Sequence, residues 1–485
     1  MIIKIAYLHV TFRFLKINCL ALILFLVGCG SLQKFTDVDN PCGSYSAVLG
    51  ASNVSLFLNI HNPGATPNVS LKFSSIEVLV DEMWIPFSTV VSEVNNSDTK
   101  HTQRFLGREW LKGQLCRGIR VKVAALKLPS GLASASSSTS VSNDLEIMLQ
   151  NPFVLEPGSR KTLFLEWDPA KSLLKSDLKE TFLSAYPGLG NRISANLVYV
   201  ACPDIDTVYV VRADKFQVVD AFVVNGKPSY LAVDSLKKTI FVLSESLNKI
   251  KTYDTSTNFP ISEINIALAN APNSMVINNT SQVAYVLDAL GVLTSVDLAT
   301  GNMLNRNRIG NRPNYICYIS GLGKLAVSSS IDQTVYLLNP NTLTVEDSIA
   351  LGSAPLGLMG WGNYLYIAEG AANSVSIYDL SSRKILKSIH VGFGPYRFVA
   401  SNNTIYVTNF GDGSISIMPG GQFSVSKEIA IGKSPREMVV AEKQRLLFVG
   451  EGDCDGSLAI VDTTANQVVG RVELGAKPAG IAVIE

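Results

Sequence analysis

Acid–base or nucleophilic chemistry in this 485-residue chain would have to be built around few histidines. Past the N-terminal segment only His61, His101 and His390 occur, in LNIHNP, KHTQ and KSIHVG. A catalytic triad needs a base beside a nucleophile and a third group that orients the base. Nothing in these three contexts supplies one. No Gly-x-Ser-x-Gly, His-Glu-x-x-His or Walker pattern is present. Asp453 and Asp455 in GEGDCDG are the right donors for calcium, but their spacing matches no established loop, and a solvated hairpin tip is expected. No catalytic residue, metal or cofactor is therefore assigned. There is no Cys-x-x-Cys and no Cys-x-x-Cys-His among the seven cysteines, which removes zinc-ribbon and c-type haem chemistry.

The cysteine with the clearest chemistry is Cys29. Residues 1–28 hold Lys4, Arg13 and Lys16 and no acidic residue, then the apolar run CLALILFLVG. That run is short for a transmembrane helix and reads as a secretory signal. Its end, Leu26-Val27-Gly28-Cys29, resembles a bacterial lipobox. The resemblance implies removal of 1–28 and acylation of Cys29 through its thiol and new amino group. Several acyl chains anchor a protein stably where one alone is marginal. Gly30 and Ser31 follow, and the lack of Asp there favours the outer membrane if the organism is Gram-negative. Cleavage would take the 41 basic and 40 acidic residues to 38 and 40, a net charge of about −2. That balance gives no case for nucleic acid.

The element that must carry any binding surface is a repeat. Prolines after a short Gly/Asn-rich turn recur at 228, 272, 313, 355, 395, 435 and 478, at intervals of 44, 41, 42, 40, 40 and 43. Near sixteen residues before them stands an Asx that ends an alternating run, as in Asp214, Asp254, Asp297, Asn339, Asp379 and Asp462, with Pro419 in its place in the sixth unit. Each unit reads as four short strands; in the fifth they are LGLMGW, NYLYIAE, NSVSIYD and RKILKSIHVG. Seven such units predict an all-β chain with a C-terminal seven-bladed β-propeller over 191–485. The Asx should close a hairpin by accepting from the backbone two residues on. The proline should open an inner strand, where no ladder N–H is needed. The first unit lacks an inner strand, and the chain ends on a spare one, PAGIAVIE. Residues 479–484 should therefore pair beside 197–201 and remove two open sheet edges.

LYIAEGAANSVSIYDLSSRKILKSIHVGFGP and IYVTNFGDGSISI are similar to the YVTN-type β-propeller repeat of bacterial and archaeal envelope proteins. The family mixes binding proteins, surface-layer proteins and enzyme relatives, so the resemblance implies a fold and a compartment rather than an activity. The Gly-His and Trp-Asp signatures of WD repeats are absent.

Between signal and propeller, 29–44 reads as a tether and 45–190 as a smaller β-rich, sandwich-like domain of about seven antiparallel strands. Within it, 132–144 is a low-complexity loop, and 170–185 has the spacing of an amphipathic helix with Leu174, Leu178 and Phe182 on one face. In an oxidising envelope the five remaining cysteines include at least one that stays unpaired or pairs between molecules. Cys202–Cys454, across the closing blades, and Cys42–Cys116 are the candidate disulfides. Cys317 should lie buried on an inner strand.

One propeller face gathers two sets of loops. The loops between second and third strands hold Asp204, Asp206, Glu245, Asp288, Asp332, Glu369, Asp412, Glu451, Asp453 and Asp455. The connections into the inner strands hold Lys227, Arg312, Lys433 and Lys477, with Arg397 and Arg436 just past the proline and Tyr230, Tyr315 and Tyr396 in comparable places. A basic, aromatic channel mouth inside an acidic rim is the expectation. Arg and Tyr are favoured partner anchors. The functional expectation is a lipid-anchored envelope protein that binds or scaffolds a protein partner or an anionic ligand. Two alternatives are a lactonase- or dehydrogenase-like propeller enzyme of the periplasm and a structural cell-surface array protein.

Overall fold

The computed structural model describes residues 48–61, 68–97, 103–127, 143–173, 182–188 and 196–485. The predicted signal, Cys29, the tether, Cys42 and His101 lie outside these residues. So does most of the low-complexity stretch.

The N-terminal domain is two facing sheets. Strands β1 (Ser52–Ile60), β5 (Gln103–Leu111), β8 (Arg160–Trp167) and β9 (Leu183–Pro187) form one, in the order β5-β1-β8-β9. Strands β2 (Ser70–Val80), β3 (Met83–Phe87), β6 (Leu115–Lys127) and β7 (Asn143–Val154) form the other, with β4 (Glu93–Asn95) added on β2. Alternation drives this packing: in β2, Leu71, Phe73, Ile76, Val78 and Val80 are buried in the space between the sheets.

Three expectations are corrected here. The sandwich is not wholly antiparallel, because β1 and β8 run parallel from Asn53↔Arg160 to Ile60↔Trp167. Of the expected helix 170–185, Pro169–Leu173 is helical, while 174–181, with Leu174 and Leu178, lie outside the described residues. The far end of that stretch is strand instead: Leu183 pairs with Trp167, and Phe182 and Leu183 fill the core. Tertiary burial outweighs a local helical spacing there. Asn143 and Asp144, placed in the low-complexity loop, open β7.

Residues 197–484 form seven four-stranded sheets, numbered here as blades 1–7 in chain order. In blade 1, Leu197–Cys202, Thr207–Arg212 and Gln217–Val223 are joined by the last strand, Ile481–Ile484, on the inside. The register runs Leu197↔Ile484, Val198↔Val483, Tyr199↔Ala482 and Val200↔Ile481. Bonds from Ala201 N to Gly480 O (2.8 Å) and from Ala479 N to Ala201 O (2.9 Å) extend it. The ring closes as the repeat frame requires.

The two sequence markers act as expected in most units, but the inner strands after Pro435 and Pro478 begin only at Met438 and Ile481. Inner strands of blades 2–6 begin at Pro228, Pro272, Pro313, Pro355 and Pro395. The Asp297 carboxylate accepts from the N–H of Ala299 (2.9 Å) and Thr300 (2.7 Å), and Asp379 and Asp462 repeat the motif. Between blades, alternating apolar residues of the second and third strands pack against the neighbouring sheet, as in the cluster of Leu325, Val327, Tyr285 and Leu287.

The sandwich docks on the closing seam. Phe57, Phe105 and Phe164 join a cluster drawn from blades 1 and 7. Arg108 donates to Tyr209 Oη (2.6 Å) in blade 1 and to the carbonyls of Leu474 (3.3 Å) and Gly475 (3.2 Å) after blade 7. Gln103 makes both backbone-type bonds to Val218, and Arg104 pairs with Glu473 at 3.0 Å.

Candidate functional site: the propeller axis

The third residue of each inner segment, counted from its proline, points the argument to the axis. Around the ring these are Tyr230, Ser274, Tyr315, Gly357, Arg397, Glu437 and Gly480. The two glycines make room: a Cβ on Gly480 would lie 2.8 Å from Leu231 N, and one on Gly357 would strike the Tyr396 carbonyl. Arg397 is only 8% exposed. Its guanidinium carbon sits 4.0 Å from the Tyr396 ring centre and 4.2 Å from that of Tyr315. Its Nε donates to Glu437 Oε1 at 2.6 Å, and its Nη groups reach the carbonyl (3.2 Å) and hydroxyl (3.3 Å) of Tyr396. Thr408 locks the backbone by accepting from Arg397 N (3.0 Å) and donating to Arg436 O (3.0 Å).

The electrostatics follow from this burial. Desolvation pushes Tyr230 up to about 12, with Glu437 adding to the shift and a hydrogen bond shared with Tyr315 offsetting it. Desolvation likewise holds Tyr315 well above the ordinary phenol range. Both stay in the neutral phenol form at neutral pH. Burial alone would weaken the Arg397 cation, but Tyr396, Glu437 and Tyr315 together raise it above its usual value.

Tyr230, Tyr315, Tyr396 and Arg397 are thus brought together. Glu437 belongs with them and was missed, although it stands at the same offset from its proline as Arg397. Arg436 does not join the group. It precedes the strand Met438–Ala441, with its guanidinium 4.7 Å from the Phe410 ring centre and 3.4 Å from Asp453 Oδ1. Lys477 is half-buried, and Lys227, Arg312 and Lys433 are exposed. The axis is therefore not a free basic receptor: Glu437 balances its one deeply buried cation.

The acidic rim has a structural use as well. Asp206 Oδ1 accepts from Gly226 N (3.1 Å) and Lys227 N (2.8 Å), Asp288 from Asn270 N (3.0 Å), Asp332 from Asn311 N (2.8 Å) and Asp412 from Phe393 N (2.7 Å). Each carboxylate ties a turn to the connection into the next blade, satisfying N–H groups that would otherwise be left over.

Both candidate disulfides are overturned. Cys202 is a free thiol, wholly buried in the blade 1 core, where desolvation raises it to about 12. Cys116 is likewise free, buried between the sandwich sheets and raised to about 12. Cys454 is disulfide-bonded, with its partner outside the described residues. Cys317 lies free on the blade 4 inner strand, half-buried rather than fully buried. His390 ends the outer strand of blade 5 and is exposed, and His61 is exposed beside Glu166 at 3.5 Å. Among the described residues no cluster of His, Cys, Asp or Glu is arranged to hold a metal.

No family model matches the sequence, and no curated protein aligns with it. Among solved structures, the chain resembles a functionally unknown protein from Desulfotomaculum acetoxidans DSM 771, at 16% identity and a TM-score of 0.53, over 60% of this chain and 99% of that one. It also aligns with dihydro-heme d1 dehydrogenase NirN in complex with DHE, at 14% identity and a TM-score of 0.49, over 60% and 76% of the two chains. The first likeness is one of fold alone.

Proposed function

We propose that this is a lipid-anchored envelope protein whose β-propeller serves as a non-enzymatic binding or scaffold module. The reading rests on the lipobox-like Leu26–Cys29 after a basic, apolar leader, and on the YVTN-type repeat. The outer membrane is the proposed address in a Gram-negative cell. A protein partner is favoured over a small anion by one observation, the pairing of Arg397 with Glu437. With that cation satisfied internally, the mouth offers Arg436 over Phe410 beside Tyr396, a patch suited to anchoring a chain segment.

Metabolic labelling with an alkyne fatty acid tests the anchor. Wild-type protein should be labelled and sediment with membranes, and Cys29→Ser should be neither. A Cys29→Ser protein that stays labelled contradicts the proposal. Crosslinking in envelope preparations tests the partner: Arg436→Ala with Phe410→Ala should lose adducts that the wild type forms.

A further inference from the structure

We propose that the seam between blades 4 and 5 is a binding site for an alkylguanidinium cation, distinct from the propeller axis.

The seven blades differ at one equivalent position. In each, the third residue of the third strand pairs with a residue of the outer strand on the face turned to the preceding blade. Six blades place a long side chain at this pair: Tyr209, Glu263, Arg306, Tyr336, Glu428 and Arg471. Two of these show where it goes. Arg306 donates to Leu268 O (3.0 Å) and Arg471 to Ile431 O (2.6 Å), both in the connection leaving the preceding blade. Blade 5 instead pairs Ser376 with Ser388. A cavity of about 410 Å³ opens there, and the preceding blade's connection, Leu351 to Ser353, forms one wall.

The glycine of that connection gives an independent measure. A Cβ on Gly310, Gly392 or Gly432 would collide with Asp332, Asn409 or Glu451, respectively. A Cβ on Gly352, at the same place before blade 5, would meet nothing within 4 Å.

The floor of the cavity sets its chemistry. Glu369 ends the second strand of blade 5 and is 5% exposed. Glu451 is its counterpart in blade 7, 2% exposed, accepting from Ser457 Oγ (2.7 Å) and ion-paired with the Arg471 guanidinium. Glu369 also accepts from a serine, Ser376 Oγ, two places further along the third strand than the counterpart of Ser457, and Ser388 stands where blade 7 has Arg471. The Ser353 hydroxyl in the wall is buried and has no partner. A buried carboxylate, hydroxyls and an open volume remain where blade 7 seats its own arginine. Such a set is matched by a guanidinium on an alkyl stem, which donates in a planar fork to a carboxylate.

Titration calorimetry on the detergent-solubilised full chain, with agmatine and with acetyl-Gly-Arg-Gly-amide as separate probes, tests this. At least one probe should bind saturably. A preference for agmatine marks a free small molecule as the source, and a preference for the peptide marks an arginine of a polypeptide. Glu369→Gln should weaken binding about tenfold or more through loss of the charge-assisted bonds. Ser388→Arg should abolish it by rebuilding the blade 7 pair, while raising Tm. Neither site is needed for the blade ladder, and circular dichroism checks the fold of each variant. Failure of both probes to bind the wild type, or undiminished binding by Ser388→Arg, overturns the assignment.

Discussion

At the scale of single residues, the Arg397–Glu437 pair is the most consequential contact in the propeller. Two charges held among tyrosines have lost most of their hydration, and removing one strands the other. Glu437→Ala is expected to cost about 3–5 kcal/mol in urea unfolding. Replacing both partners with apolar residues, Arg397→Met with Glu437→Leu, should recover most of that loss. A double variant as unstable as the single one would contradict the view that stranded charge, rather than lost packing, is the cause. Arg397 was legible in the sequence because it follows its proline at the offset shared by Tyr230 and Tyr315. Glu437 has the same offset, but residue type alone did not show that one would neutralise the other. The free thiols of Cys116 and Cys202 were illegible for a related reason: pairing depends on Cα separation, which no spacing in the chain reports.

At the scale of elements, the hairpin turns carry an acid dependence. Hydrogen bonds hold the carboxyls below their usual value near 3.8: chiefly from Ser256 at Asp254, Thr300 at Asp297, Ser381 at Asp379 and Ala465 at Asp462. A depressed folded-state pKa favours the ionised fold. Its contribution is complete above the unfolded value and fades as pH falls from about 4 toward the folded value. Tm should therefore drop below pH 4. Asp379→Asn keeps the acceptor, as Asn339 does naturally in blade 4, and should flatten that drop. A variant with the same acid slope as the wild type would rule the turns out as its source. Blade elements were legible because four short strands and a fixed turn chemistry repeat within every forty or so residues. The sandwich was less so. Its parallel β1–β8 pair joins residues more than a hundred positions apart, and no local pattern encodes such a partnership.

At the scale of the whole molecule, the sandwich and the last strand act on the same place. The final strand completes blade 1, and β1, β5 and β8 cover the junction of blades 1 and 7 with Phe57, Phe105, Phe164 and Arg108. Arg108 bridges the two blades, so Arg108→Ala should cost about 2–3 kcal/mol and raise the unfolding rate. Equal unfolding rates would mean that the sandwich does not brace the seam. Closure itself was legible, because a missing inner strand at one end matched a spare one at the other. The brace across it was not, since nothing in the β5 sequence names blades 1 and 7 as its target.

Ring closure by the C-terminal strand is the claim on which the rest depends, and its removal is the most direct test. A chain ending at Lys477 loses the whole ladder to Leu197–Ala201, at about 0.5–1.5 kcal/mol for each hydrogen bond, together with the apolar burial of that strand. Calorimetry should show a Tm lowered by many degrees and a broadened, less cooperative transition. An unchanged Tm with an equally sharp transition would contradict the closed seven-bladed ring.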